Sequence, residues 1–153
     1  MIKPTFNPRY RNAKSGIFKP QHPEKYKGFG QIIFKSFLEA KFMYYLDNDP
    51  KVLAWWAEPF SISYFDKTTN RWRQYYIDFV FELLDGTSKL KYWVETKTTG
   101  ETQKPTGGRN TMALLENTKT YVKNLCKWNA AQKVAKKHGA KFVVITEEFF
   151  KKK

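Results

Sequence analysis

The chain has 153 residues, 18% of them aromatic, with 28 lysines and arginines against 14 acids for a net charge of +14. That length suits one domain with a sizeable core, and the charge favours a polyanionic partner, nucleic acid above a membrane surface. A spanning helix is excluded because no apolar run approaches the ~20 residues it needs, and an internal disulfide or zinc–cysteine cluster is excluded because Cys126 stands alone.

The N-terminus lacks the apolar stretch of a secretion signal, so a cytosol-like compartment is expected. Residues 1–30 carry Pro4, Pro8, Pro20 and Pro23 among Lys, Arg, Tyr and Gly. Such a composition resists regular structure and suits a basic arm lying on phosphates or on a protein partner, ahead of a folded unit at 31–150. From Gln31 the text becomes "QIIFKSFLEAKFMYYLD". Leu38, Phe42 and Tyr45 recur at helical spacing and Ser36 to Glu39 fits a capping box, which predicts a helix to about Leu46. After "NDP", the stretch "VLAWWAEPFSISYFD" predicts one strand ending near Phe65, and "DKTTNR" a polar turn. Trp55 and Trp56 read as core or partner-contacting side chains, with base stacking as the competing role.

Two strands follow, Trp72 to Leu83 and Leu90 to Lys97, joined through an Asp-Gly turn. Alternation puts Ile77, Phe79 and Phe81 on one face of the first and Tyr92, Val94 and Thr96 on one face of the second. The opposite face then holds Asp78 on one strand and Glu95 with Lys97 on the other. With an even-length loop, positions whose numbers sum to an odd value point the same way, and 78 with 95 satisfies this. "TTGETQKPTGGRN", Thr98 to Asn110, is a Gly-rich polar loop beyond the cluster, placed to approach a ligand.

Thr111 to His138 predicts a helix, in one piece or two, with Tyr121, Val122 and Leu125 as one stripe and Ala131, Val134 and Ala135 as another. His138 and Gly139 mark its stop, and Cys126 within it suits a small buried hydrophobe. "KFVVIT", Lys141 to Thr146, predicts a short central strand before a solvated Lys-rich tail. His138 suits a cation at a helix C-terminus and His22 lies in the basic arm; neither has a ligand-spaced partner.

An unpaired buried carboxylate costs several kcal/mol, so two together on a sheet call for a cation. A hard divalent ion, Mg2+ with Mn2+ as an alternative, takes carboxylate, carbonyl and water oxygens, which Asp78, Glu95 and the Thr96 carbonyl would supply. Lys97 would then orient an attacking water, and the whole is a phosphodiester-cleaving arrangement. The competing reading makes Asp78 and Glu95 solvated strand residues with Lys97 as their ion-pair partner, and spacing alone leaves both open. Arg71, Arg73, Lys104 and Arg109 read as loop cations near the cluster and candidate phosphate contacts.

"IDF" followed by "VETK", preceded by a helix carrying "SFLEAKF", resembles the PD-(D/E)XK nucleases. More narrowly, "GIFKPQHPEKYKG", "SFLEAKFMYYLDNDPKVLAWWAEPFSISYF", "RQYYIDF" and "KWNAAQKVAKKHGAKFVVITEE" resemble the head-completion nuclease family of T-even-type phages, related to TnsA-type transposase endonucleases. The resemblance implies an α/β fold with a restriction-endonuclease-like core, a mixed central sheet whose antiparallel meander is flanked by helices. It implies metal-binding roles for Asp78 and Glu95, a catalytic Lys97, and a supporting acid at Glu39, for which the capping box is a rival explanation. Ile77 stands where the family name has Pro.

The same resemblance places Lys127 and Gln132 at the border of the site, against the alternative of a solvated helix face. It implies a Mg2+-dependent deoxyribonuclease that completes DNA-filled heads. The implied partners are DNA and head, portal or neck proteins, with no membrane, in the host cytoplasm during assembly or in the virion; a homo-oligomer is compatible. Two rivals stand beside it: a non-catalytic basic DNA-binding or structural component that keeps the fold, and a nuclease subunit acting only inside a larger assembly.

Overall fold

The structure is a computed structural model that describes residues 15–107 and 111–151. Gly16–Phe18 (β1) and Ile32–Phe34 (β2) pair antiparallel ahead of the helix Phe37–Asn48 (α1). The part of the expected arm that is described is therefore ordered. Phe18, Ile32 and Phe34 are buried in the core, and the Tyr26 ring sits edge-on to Trp55 at a centroid distance of 4.6 Å. Asp47, buried near the end of α1, accepts the backbone N–H groups of Gln21 at 2.7 Å and His22 at 2.9 Å. Prolines and glycines punctuate this segment, but its few aromatic anchors outweigh them, since each buried ring stabilises by ~1.5–3 kcal/mol. Residues 1–14 of the expected arm lie outside the described residues, as does the candidate Arg109.

Ile32–Phe34 joins a strand, and α1 starts where the capping box placed it, directly after Ser36. Ser36 caps it by accepting the Glu39 N–H, as predicted. The reciprocal bond runs instead from the Lys35 N–H to Glu39 Oε2 at 2.6 Å, one residue before the cap.

The next stretch is not one strand but two, Val52–Ala57 (β3) and Ser61–Asp66 (β4). Its partner divides at the same level into Arg71–Tyr76 (β5) and Phe79–Asp85 (β6). Glu58, at φ 45°, and Pro59 break the first ribbon, while Ile77–Asp78 break the second. The breaks are stitched together: the Glu58 N–H donates to the Asp78 carbonyl at 2.8 Å and the Ile77 N–H to the Phe60 carbonyl at 3.2 Å. The outer halves fold away as a separate β4–β5 hairpin, while β3 and β6 stay in the main sheet. Ile77 consequently leaves the face of Phe79 and Phe81 that alternation assigned to it.

Ser88–Thr96 (β7) follows β6 through a two-residue turn, Gly86 and Thr87, one residue later than an Asp-Gly loop would lie, with Asp85 pairing with Ser88; the loop is even, as the expected register required. Met112–Lys137 (α2) is one continuous helix, capped by Thr111 and ending at His138 and Gly139. Within it Leu125 stays largely exposed and Cys126 is half-buried, while Ala131 and Ala135 are fully buried. Lys141–Ile145 (β8) runs parallel to β7 at the edge of the four-stranded order β3-β6-β7-β8, not at its centre. Its apolar run reflects cover on both faces: Val143 and Ile145 pack on one, Phe142 on the other. Just before the Lys-rich tail the chain turns back, with Phe149 packing 6.0 Å from Phe42, while Lys151 is exposed as expected and residues 152–153 lie outside the described residues.

The expected mixed α/β sheet is thus observed. One face packs Phe79, Phe81, Val94 and Trp55 against α1 and the β1–β2 hairpin. The other packs Val80, Trp93 and Ile77 against α2 and the β4–β5 hairpin. Among the described residues no helix is long and apolar enough to cross a membrane.

Candidate active site

Asp78 sits at the kink between β5 and β6, one step beyond the cross-strand pair Phe79–Val94, so it lies opposite Glu95 on β7. Both belong by alternation to the α2 face, with Val80 and Trp93. Asp78 Oδ2 accepts the Thr96 backbone N–H at 2.9 Å and its hydroxyl at 3.1 Å. Glu95 is buried, its Oε2 accepts the Tyr75 hydroxyl, and its Oε1 lies 3.5 Å from Lys97 Nζ. One oxygen of each carboxylate is thereby held by a hydrogen bond within the fold, which leaves Asp78 Oδ1 and, beside Lys97, Glu95 Oε1.

Burial is the main electrostatic fact. It pushes the Glu95 carboxyl up to about 7, with the Asp78 charge adding to the effect and Tyr75, Lys97 and Lys127 opposing it. Burial likewise raises Asp78, against the hydrogen bonds from Thr96 and the charge of Lys97. Tyr75 is raised by burial and by Glu95, so its hydroxyl stays a donor. Two desolvated carboxylates held side by side are an unmet demand for positive charge.

The structure brings Lys127 closer than a peripheral phosphate contact would be. Half-buried on α2, its Nζ lies 5.5 Å from the Tyr75 ring centroid and 5.9 Å from that of Tyr64, and burial lowers its pKa against the pull of Glu95. Glu39, in the first turn of α1, lies within electrostatic reach of Asp78; burial first, and that charge next among the raising influences, hold its carboxyl above the usual range. Its Oε2 is already engaged by Lys35, so the capping role is realised.

Other candidates scatter. Arg71 and Arg73 lie on β5, not on a loop. Arg71 is at the far end of the hairpin, and Arg73 Nε is 3.1 Å from the buried Asp66. Lys104 is exposed in the loop after β7, and Gln132 is exposed on α2. That loop is tied down by the Thr99 N–H, which donates to Glu147 at 2.9 Å. Sequence reasoning missed Tyr75 and Glu58. Tyr75 looked like any strand aromatic, and only the hairpin's bend aims it at Glu95. Glu58 carried a usable signal, an acid before Pro in a run too long for one strand.

Among the described residues no three histidine, cysteine or acidic side chains converge into a ready-made metal cage. The donor set nevertheless fits a hard divalent cation. Asp78 Oδ1 and Glu95 Oε1 accept no hydrogen bond from the described residues, Glu95 Oε1 having only the Lys97 ion pair beside it, both groups are desolvated, and such ions fill their remaining positions with water and substrate oxygens.

Residues 49–147 match the family described as TnsA-like endonuclease N terminal. The chain is also 31% identical to a head completion nuclease of Enterobacteria phage T4 over 142 residues, an alignment covering 89% of this chain and 93% of that protein. No solved structure matches. The family match contains Asp78, Glu95, Thr96, Lys97 and Lys127, and leaves Glu39 outside.

Proposed function

The chain belongs to the TnsA-like endonuclease N-terminal family, and from that premise we propose that it is a metal-dependent DNA endonuclease acting in the completion of phage heads. The similarity to the T4 head completion nuclease, nearly end to end, supports the biological setting: a host cytoplasm in which heads are assembled, with DNA and proteins of the head, portal or neck as partners. One observation carries the chemistry. Asp78 and Glu95 oppose each other on adjacent strands, both raised by burial, with Lys97 beside them.

On this reading Asp78 Oδ1 and Glu95 Oε1 would hold a Mg2+ or Mn2+ ion. When bound, that ion would neutralise charge on the scissile phosphate and acidify a water. The chain's own residues set the stage. Thr96 fixes the Asp78 rotamer through both its N–H and its hydroxyl, and Tyr75 locks Glu95 by one oxygen. Lys97, held by its ion pair at the edge of the buried cluster, orients the attacking water and meets the growing negative charge on phosphorus-bound oxygen. Lys127 supplies further positive potential from the α2 side.

Supercoiled and linear DNA incubated with the purified protein and Mn2+ tests this, with Asp78→Ala and Lys97→Ala beside wild type. Wild type should cut and both variants should lose at least ~100-fold, the order of a lost electrostatic stabiliser. Identical behaviour of the three proteins sinks the proposal. The Lys97–Glu95 ion pair favours a second reading, a DNA-binding module whose acids are neutralised internally; it predicts binding without cleavage in the same assay.

A further inference from the structure

Phe29 is 98% exposed, the most solvent-covered large apolar side chain among the described residues. Its exposure is built in rather than left over. A Cβ at Gly28 would lie 2.3 Å from the Tyr26 hydroxyl oxygen and 2.5 Å from Cζ, and Gly30 has φ +71°. Gly28 lets the chain pass close over the Tyr26 ring, and Gly30 takes a left-handed conformation that L side chains rarely adopt, leaving the phenyl group exposed between them.

The tip stands at the same end of the sheet as the carboxylates. β3 runs toward them, since its last residue, Ala57, pairs with Phe79, the neighbour of Asp78. Tyr26 bridges Trp55 in parallel and the Lys27 N–H donates to the Trp55 carbonyl at 2.9 Å, so the chain beyond Tyr26 advances in that same direction. On the return, Lys35 Nζ pairs with Glu58 at 2.7 Å, and the Glu58 N–H donates to the Asp78 carbonyl. The outgoing root is thus tied to β3, and the return, through Glu58, to the backbone of Asp78. Lys27 is exposed at its base in a chain of net charge +14, a setting that suits a polyanion carrying flat apolar faces.

We propose that Phe29 is a wedge that stacks on a base beside the bond being cut. The favoured substrate is then DNA whose stacking is already interrupted: an end, a junction or a single-stranded tail. A wedge in an intact duplex must unstack a base step, whereas at an interruption that cost is already met, so the ring adds affinity selectively there. The proposal rests on the nuclease reading for what lies next to the ring.

The test uses the full-length Asp78→Asn protein, so that binding is read without cutting. Anisotropy titrations compare a blunt duplex with the same duplex carrying a single-stranded tail and 2-aminopurine at the junction. The tailed DNA should bind ~10-fold more tightly, the order of one base–aromatic stack, with a change in 2-aminopurine emission. Adding Phe29→Ala should abolish both, and adding Phe29→Trp should keep both, with unaltered circular dichroism in each. An unchanged preference in the Phe29→Ala protein overturns the wedge. So does a Phe29→Ala protein that binds and cuts as wild type but fails to complete heads, which would place a protein on the ring instead. A wild type that cuts no DNA while the Phe29-dependent preference persists overturns the nuclease reading and leaves the stacking site standing.

Discussion

Glu95 stabilises the fold least when it is charged. Its carboxyl sits at about 7 in the folded chain against an ordinary value of 4.5, because burial and Asp78 oppose ionisation. Below pH 4.5 the group is protonated whether folded or not and costs nothing; as pH climbs from 4.5 to 7 the unfolded chain ionises first, and stability falls. Above that window the penalty is complete. Glu95→Gln removes it while keeping an acceptor for Tyr75, so at pH 8 the variant should be more stable by about 3 kcal/mol, a melting temperature higher by ~6–12 °C, with the gap closing near pH 4.5. Mn2+ should raise the melting point of wild type at pH 8 and leave the variant unmoved. The Tyr75 hydroxyl acts in the other direction, favouring the charged form of Glu95. Tyr75→Phe should therefore shift the acidic limb of the cleavage–pH profile upward by roughly one unit, the equivalent of a hydrogen bond to a charged acceptor. Thr96→Val should move it less, since the backbone N–H still reaches Asp78.

Among the elements, the site depends on two ribbons bending in step. Had β3–β4 and β5–β6 continued straight, Ile77 would share the face of Phe79, and Tyr75 would point away from Glu95. The turn between β6 and β7 was legible because Asp-Gly marks a tight hairpin; its two loop residues are Gly86 and Thr87, an even loop whose register opposes Asp78 to Glu95. The α1 cap was legible because Ser36 and Glu39 act over one turn of chain. The bend was not, because its cause is non-local: Glu58 and Asp78 are far apart in sequence and meet only through a backbone hydrogen bond. The same applies to the segment before α1, whose local composition argues for disorder while Asp47 pins it from the other end of a helix. Asp47→Ala should strand two backbone N–H groups and cost ~2–4 kcal/mol. Limited proteolysis after Lys25 or Lys27 would report it, with Asp47→Asn, which retains an acceptor, intermediate between the variant and wild type.

Over the whole molecule, a charge of +14 is spread across residues that are not equally free to meet DNA. Arg73 and Lys123 converge on Asp66, whose side chain is fully buried, at 3.1 Å and 3.8 Å. Burial alone would raise that carboxyl, but hydrogen bonds from the Thr68 N–H and hydroxyl, together with Lys123, hold it below its usual range and favour its charged form. Arg71, although it stands directly opposite Asp66 in the strand register, is exposed, and among the described residues no ion pair joins it to an acid. The two arginines should therefore separate in experiment. For the Asp78→Asn protein on duplex DNA, neutralising ~5 phosphates would give a slope near −4.5 for log affinity against log salt. Arg71→Ala should flatten that slope by about 1 with little change in melting temperature. Arg73→Ala should instead lower the melting temperature, because a solvent-inaccessible carboxylate loses its nearest cation, and should leave the slope almost unaltered at temperatures where it remains folded. If both variants flatten the slope alike, Arg73 faces DNA rather than Asp66, and the β4–β5 hairpin is a phosphate-binding surface along its whole length.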